Sequence, residues 1–186
     1  MKTTSPYIQL SAIALTGLLA SCSSSSPNVA RVPVSISKGN DNSLNGRIFE
    51  GVNSYRQSLG KSSLKRHAGL DSIAQKHCEY LAEHCGASGT NIGHIGFEGR
   101  ALVARFSYDI PSLGENVASS TTRTPERLIS LWKSSKSHES NMRSDWVYTG
   151  VGTAFTADGM VISTQVFGTA TRSNMGSSAN ATNRAW

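Results

Sequence analysis

At 186 residues the chain is sized for one domain. Only 16% of its residues are charged, against roughly 25% in an average soluble protein, and Ser, Thr, Asn and Gly carry the polarity instead. The formal charge of +6 comes without a dense Lys/Arg run or basic–aromatic interleaving, which argues against nucleic acid as a partner. Such a field is suited to an anionic envelope surface.

The first residues read as an address. Lys2 precedes an apolar run from Ile8 to Ala20 that is shorter than the roughly 20 residues of a membrane span and fits a secretory signal. It ends in Leu19-Ala20-Ser21-Cys22, which resembles a bacterial lipobox, with four serines behind it. The resemblance implies a signal peptide over 1–21, cleavage before Cys22 and acylation of that residue, with the membrane as a partner through the lipid. Stable anchoring of this kind needs more than one acyl chain. The expected location is the bacterial cell envelope, and Ser23 after the cysteine favours the outer membrane in a Gram-negative host. Residues 22–45 have too few apolar side chains to offset ordering entropy and read as a Ser-rich tether; 170–186 read as a polar tail.

The folded part is expected over 46–169. Ile48, Val52, Tyr55 and Leu59 recur at helical spacing over 46–59, and Gly60 ends that helix. Leu70, Ile73, Ala74, His77, Cys78, Leu81 and Ala82 make a second stripe, with Asp71 suited to the helix start. Leu102, Val103 and Phe106 suggest a third, shorter helix. Thr124-Pro125-Glu126 supplies a hydroxyl cap, a proline in the first turn and an acid, so a fourth helix follows with Leu128, Ile129, Leu131 and Trp132. Trp146–Phe155 and Met160–Phe167 are β-rich and flank Asp158-Gly159, which predicts an antiparallel hairpin. Ser112–Ala118 is a third strand candidate. Helices first and strands late predict an α+β fold with helices packed on a sheet.

Cys78 and Cys85 are seven residues apart, about 10.5 Å along one helix. A disulfide needs Cα atoms within about 7 Å, so Cys78 reads as a small core residue unless the helix breaks before Cys85. Among the histidines, His67 lies in a basic stretch and is expected in solvent. His77 and His84 ride helix two, at a spacing that zinc motifs do not use. His94, in the glycine-bracketed "NIGHIGFEGR", and His138, just past a helix in "WKSSKSHESNM", belong to no apolar stripe. They are the histidines placed for function. Glu115, in "LGENVASS", is a carboxylate in an apolar, β-prone run and needs a partner.

Asn53-Ser54-Tyr55-Arg56, the stripe of helix two, His94, Gly114-Glu115-Asn116-Val117, Trp132, Ser135, His138, Val151-Gly152 and Thr164-Gln165-Val166-Phe167 follow one another in an order that resembles the CAP superfamily (cysteine-rich secretory proteins, antigen 5, pathogenesis-related proteins) in its bacterial SCP-like form. The resemblance covers about residues 46–168. It implies a three-layer α/β/α sandwich around a central, mostly antiparallel sheet. It also implies a cavity on which two histidines and two acids converge. His94 and His138 match the histidines and Glu115 matches one acid; the second acid position holds Ser135, and Glu139, adjacent to His138, points about 100° away from it on a helix.

Three chemistries suit that set. His94 and His138 could hold zinc or another divalent metal, with Glu115 a ligand or the acceptor of a histidine N–H. Glu115 could orient a histidine as general base for a Ser135 or Ser137 nucleophile, which needs an oxyanion hole that no motif supplies. Or the three form a buried hydrogen-bond cluster without turnover. The expected role is a monomeric, membrane-anchored binding module taking an envelope lipid, glycan or protein over His94, Glu115, His138, Ser135 and Asn116. The alternative is a metal-assisted hydrolase of envelope peptides or glycans. Arg100 is expected to make a local salt bridge, and Asn116 to bind backbone at the strand end.

Overall fold

A computed structural model describes residues 43–85 and 92–171. Residues 1–42, with the stretch read as a signal, Cys22 and most of the stretch read as a tether, and residues 172–186, read as part of the tail, lie outside the described residues. In chain order the elements are α1 (Leu44–Ser58), β1 (Lys65–Arg66), α2 (Ala68–His84), α3 (Phe97–Tyr108), β2 (Leu113–Ser120), α4 (Pro125–Ser134), α5 (Lys136–Arg143), β3 (Tyr148–Phe155) and β4 (Val161–Gly168).

The sheet runs β1-β3-β4-β2. β4 pairs antiparallel with both β2 and β3, and the two-residue β1 adds a parallel edge to β3. Alternate residues of each strand enter opposite layers, as a period-2 strand requires. Ala118, Val151 and Phe167 join Ile48, Val52, Leu128, Trp132 and Met142 in the core under α1, α4 and α5. Val117, Ile162 and Val166 face α2, with Leu70, Ile73, Ala74, Cys78 and Leu81. This is the three-layer α/β/α arrangement expected of the sequence.

Local chemistry sets the element ends. Ser43 caps α1 by accepting from the Gly46 N–H at 3.1 Å, so α1 begins at Leu44, inside the stretch read as tether. Thr124 caps α4 with Pro125 in its first turn, as read. α2 lies so close to β3 that a Cβ on Gly150 would enter the Leu70–Asp71 peptide, and one on Gly152 the Ala74–Gln75 peptide. Two polar side chains of α2 exploit that approach. Asp71 Oδ1 accepts the Val151 N–H at 2.9 Å, and Gln75 both accepts from the Thr153 N–H and donates to its carbonyl.

The structure corrects the expectation for His67 and adds detail elsewhere. His67 is not solvated: it is buried, accepts the Gly69 N–H at the start of α2, and packs edge-on to Tyr108 and Tyr148. Burial lowers its pKa. His138 lies past α4, as read, but inside a further helix, α5, an element its sequence hid because Lys136–Arg143 buries only Met142. β1 is too short to leave a pattern. The apolar residues that suggested α3 do not face the core: Leu102, Val103 and Phe106 are exposed, and Ala104 is the helix's buried residue. Cys78 and Cys85 are both buried and are not joined in a disulfide.

Candidate functional site

β2 is an edge strand, and Glu115 and Asn116, adjacent on it, belong to opposite layers. The Asn116 side chain is fully buried, donates to the His138 carbonyl at 3.0 Å and accepts from Asn141 Nδ2 at 3.0 Å. Asn141 also donates to the Glu115 carbonyl at 3.1 Å. α5 is thereby clamped along the outer side of β2, and the clamp brings His138 round the sheet edge. Asn116 acts through backbone, as read, and builds the site rather than lining it.

The Glu115 side chain, 1% exposed, enters the layer of α2 and α3. Its partners account for both oxygens. Arg100, from α3, donates Nε to Oε2 and Nη2 to Oε1, each at 2.7 Å. His94 Nδ1 lies 2.9 Å from Oε1. His77 Nε2 is 3.8 Å from the same oxygen, within ion-pair range only, and donates to the Gly93 carbonyl at 2.9 Å. Arg100 Nη1 donates to the Ile95 carbonyl at 2.7 Å, so one guanidinium fixes both the acid and the loop carrying His94. That loop enters α3 through Gly96, whose φ of +74° favours a residue without a Cβ.

A carboxylate can only accept here, so His94 donates Nδ1–H to Glu115 and turns its Nε2 edge away from the acid. Its side chain is 48% exposed while the acid behind it is sealed. The His138 ring lies edge-on to His94, with centroids 6.1 Å apart. Burial, then the neighbouring His94, lowers the pKa of His138. Burial likewise lowers that of His77 against the opposing pull of Glu115.

The structure brings His94, Glu115 and His138 to one place but joins only His94 to Glu115 by a hydrogen bond. Ser135 sits at the α4–α5 junction, and its hydroxyl contacts that of Ser137 at 3.2 Å. Among the described residues neither serine bonds to a histidine ring. Glu139 points away, as expected, and accepts from Tyr55 Oη at 2.8 Å. Arg100 makes the salt bridge expected of it, and its partner is Glu115, which the sequence does not name; His77 is read there only as part of the helix-two stripe. Arg100 reads as a surface cation on a helix, and His77 sits in the apolar stripe of α2, where a titratable residue is itself the signal of a buried polar partner.

The donor set does not fit a catalytic zinc. Such a site has three protein ligands and an open position. Both oxygens of Glu115 are taken by a guanidinium and an imidazole N–H, and among the described residues no three of His, Cys, Asp or Glu are grouped to hold a metal ion. Two imidazoles remain.

The sequence profile of the cysteine-rich secretory protein family (CAP) matches residues 49–167. The chain belongs to that family. Solved structures share the CAP fold at low identity. An outer surface protein of Borrelia burgdorferi aligns with TM-score 0.55 and 20% identity over 67% of this chain and 90% of its own. An extracellular SCP-domain protein of Bacillus anthracis gives 0.53 and 20% over 68% of this chain, and a cysteine-rich secretory protein of Staphylococcus aureus gives 0.52 and 19% over 71%. The alignment spans only 40% of each of the latter two chains. A search of the curated proteins finds no match.

Proposed function

We propose that this CAP domain is a non-enzymatic binding module of the bacterial cell envelope, which meets a ligand or partner through His94 and His138 over a rigid Glu115–Arg100 base. One observation carries the reading: the Glu115 carboxylate is sealed and its oxygens are spent on Arg100 and His94. A carboxylate held by a two-pronged guanidinium is committed to an ion pair and unavailable as nucleophile or metal ligand. Glu115 instead orients His94, and His94 is the half-exposed group presented outward. The envelope location is supported by the signal-like segment over 1–21 and the lipobox-like Cys22, and by bacterial fold relatives described as outer surface and extracellular proteins.

The test compares the full chain with its His94→Ala, His138→Ala double variant. Molecules retained from native envelope extracts are identified by mass spectrometry and retitrated one by one. A compound that binds the wild type and not the variant supports the module. Turnover of ester or peptide substrates, lost in the double variant, would overturn it. Anchoring has its own test: Cys22→Ala is expected to move the protein from membrane to soluble fractions.

The alternative of a zinc-dependent hydrolase, which the donor set does not fit, keeps one feature in its favour. A carboxylate accepting a histidine Nδ1–H is the arrangement that orients metal-bound histidines. One equivalent of zinc in the purified chain, lost with His94→Ala, is the result that would favour it.

A further inference from the structure

Three consecutive residues, Gly93, His94 and Ile95, are each held by a different side chain. His77 Nε2 donates to the Gly93 carbonyl at 2.9 Å, His94 Nδ1 donates to Glu115 Oε1 at 2.9 Å, and Arg100 Nη1 donates to the Ile95 carbonyl at 2.7 Å. The three holders also meet one another. His77 Nε2 lies 3.8 Å and Arg100 Nη2 2.7 Å from the same Glu115 oxygen that takes His94.

Packing contributes little at this place. A Cβ built on Gly93 or on Gly99 would meet nothing within 4 Å, and one on Gly96 would meet the Arg100 guanidinium at 3.5 Å. α3, which follows the loop, has Ala104 as its buried residue. Hydrogen bonds rather than apolar contacts therefore set where the loop sits. The two side chains that hold its carbonyls differ in footing. Arg100 rides on α3, part of the segment it restrains. His77 rides on α2, which is fastened to β3 through Asp71 and Gln75.

The residue type at position 77 carries the same message. In the apolar stripe of α2 a leucine would pack without the cost of burying a polar ring. The His77 side chain is 1% exposed, so it cannot touch a ligand at the surface. A carbonyl only accepts, so the proton of this imidazole sits on Nε2 and is committed to Gly93.

We propose that His77 is a positioning residue for His94: it ties the loop to α2 and so holds the His94 ring against Glu115 and edge-on to His138. The inference rests on the reading of His94 as the group presented to a ligand, and assigns a role to a histidine outside that surface.

The test is NMR of the full chain carrying 15N-labelled histidine and 13C-labelled glycine. The wild type should show a coupling across the hydrogen bond from His77 Nε2 to the Gly93 carbonyl, a His94 Nδ1–H slow to exchange with water, and cross-peaks between the His94 and His138 rings. His77→Leu keeps bulk and removes the donor. It should speed exchange of the His94 Nδ1–H about two- to tenfold, the worth of one hydrogen bond, and weaken the ring cross-peaks. His77→Gln can donate to the same carbonyl and should restore both. Ile73→Val, one turn earlier on α2, lowers stability without touching any of these bonds and should leave the His94 signals as in the wild type. Absence of the coupling in the wild type overturns the proposal, and that result needs no variant to fold. Unchanged exchange in His77→Leu overturns it too, as does failure of His77→Gln to restore the signals. An equal effect of Ile73→Val makes His77 an ordinary core residue and also overturns it. None of these readouts uses a ligand. If they come out as expected while the His94→Ala, His138→Ala variant retains the same envelope compounds as the wild type, the positioning role stands and the binding role of His94 falls.

Discussion

Arg100 and Glu115 meet through two parallel hydrogen bonds of 2.7 Å, inside a layer where Glu115 has lost nearly all contact with water. The pair joins the edge of the sheet to an outlying helix and to the loop that carries His94. Its energetic role is therefore asymmetric: each partner is needed chiefly because the other is there.

Replacing Arg100 by Met should be severely destabilising, by about 3–5 kcal/mol, because it strands a buried carboxylate. Arg100→Met combined with Glu115→Gln should recover a large part of that loss. His94→Gln, by contrast, removes a half-exposed partner and should cost less than about 1 kcal/mol. Urea unfolding of the four proteins checks this, and equal losses for Arg100→Met and His94→Gln would contradict it.

Acidification should weaken the fold before carboxylates titrate. Burial depresses the pKa of His67, His77 and His138 below the ordinary 6.5 of the unfolded chain. Below about pH 6.5 the unfolded state therefore binds more protons, and stability falls with pH until the folded-state values are passed. Unfolding free energies at pH 7.5, 6.5 and 5.5 should decline in that order. His77→Gln, which can still donate to the Gly93 carbonyl, should flatten the decline; an unchanged slope would remove His77 from the account.

The α2–β3 contact predicts opposite outcomes for two glycines. Gly150→Ala drives a methyl group into the Leu70–Asp71 peptide and should destabilise by about 1–3 kcal/mol or more. Gly99, inside α3 with nothing near its missing Cβ, should gain up to about 1 kcal/mol on conversion to Ala. Thermal melts of the two variants read the difference directly, and a harmless Gly150→Ala would mean that α2 can retreat from the sheet.

The Cys78 thiol should be chemically silent in the native protein. Burial pushes its pKa up to about 12, and the group is engaged with the Gly152 carbonyl and the Thr164 hydroxyl at 3.2 Å. Labelling of a Cys85→Ala variant with a thiol-specific disulfide reagent should proceed only after denaturant is added. Rapid labelling without denaturant would show that α2 opens locally.

What could be read from the chain follows how strongly each element writes its environment into its own sequence. α2 carries a continuous apolar stripe because it lies on the sheet, and the β3–β4 hairpin declares itself through Asp158-Gly159. α5 is silent because it is a polar clamp whose function is hydrogen bonding through Asn141, not burial. β1 exists only by virtue of its partner strand. In the site, Glu115 stood out as an acid in an apolar run, and His94 as a histidine with no stripe to join. For Arg100 the sequence predicts a salt bridge but not its partner, because nothing in a sequence says which carboxylate a cation will reach from a neighbouring helix. His67 was misplaced for a related reason: charged neighbours hide a ring that turns inward to cap α2 between two tyrosines.

The side-chain clamps at the sheet margins carry one more implication. Asp71 and Gln75 occupy outer peptide groups of β3, and Asn141 occupies the Glu115 carbonyl near the start of β2. Open strand margins recruit other strands and seed aggregation. Here a neighbouring molecule approaching either flank finds those ladder positions already filled, so copies can be crowded together without zipping into a shared ribbon.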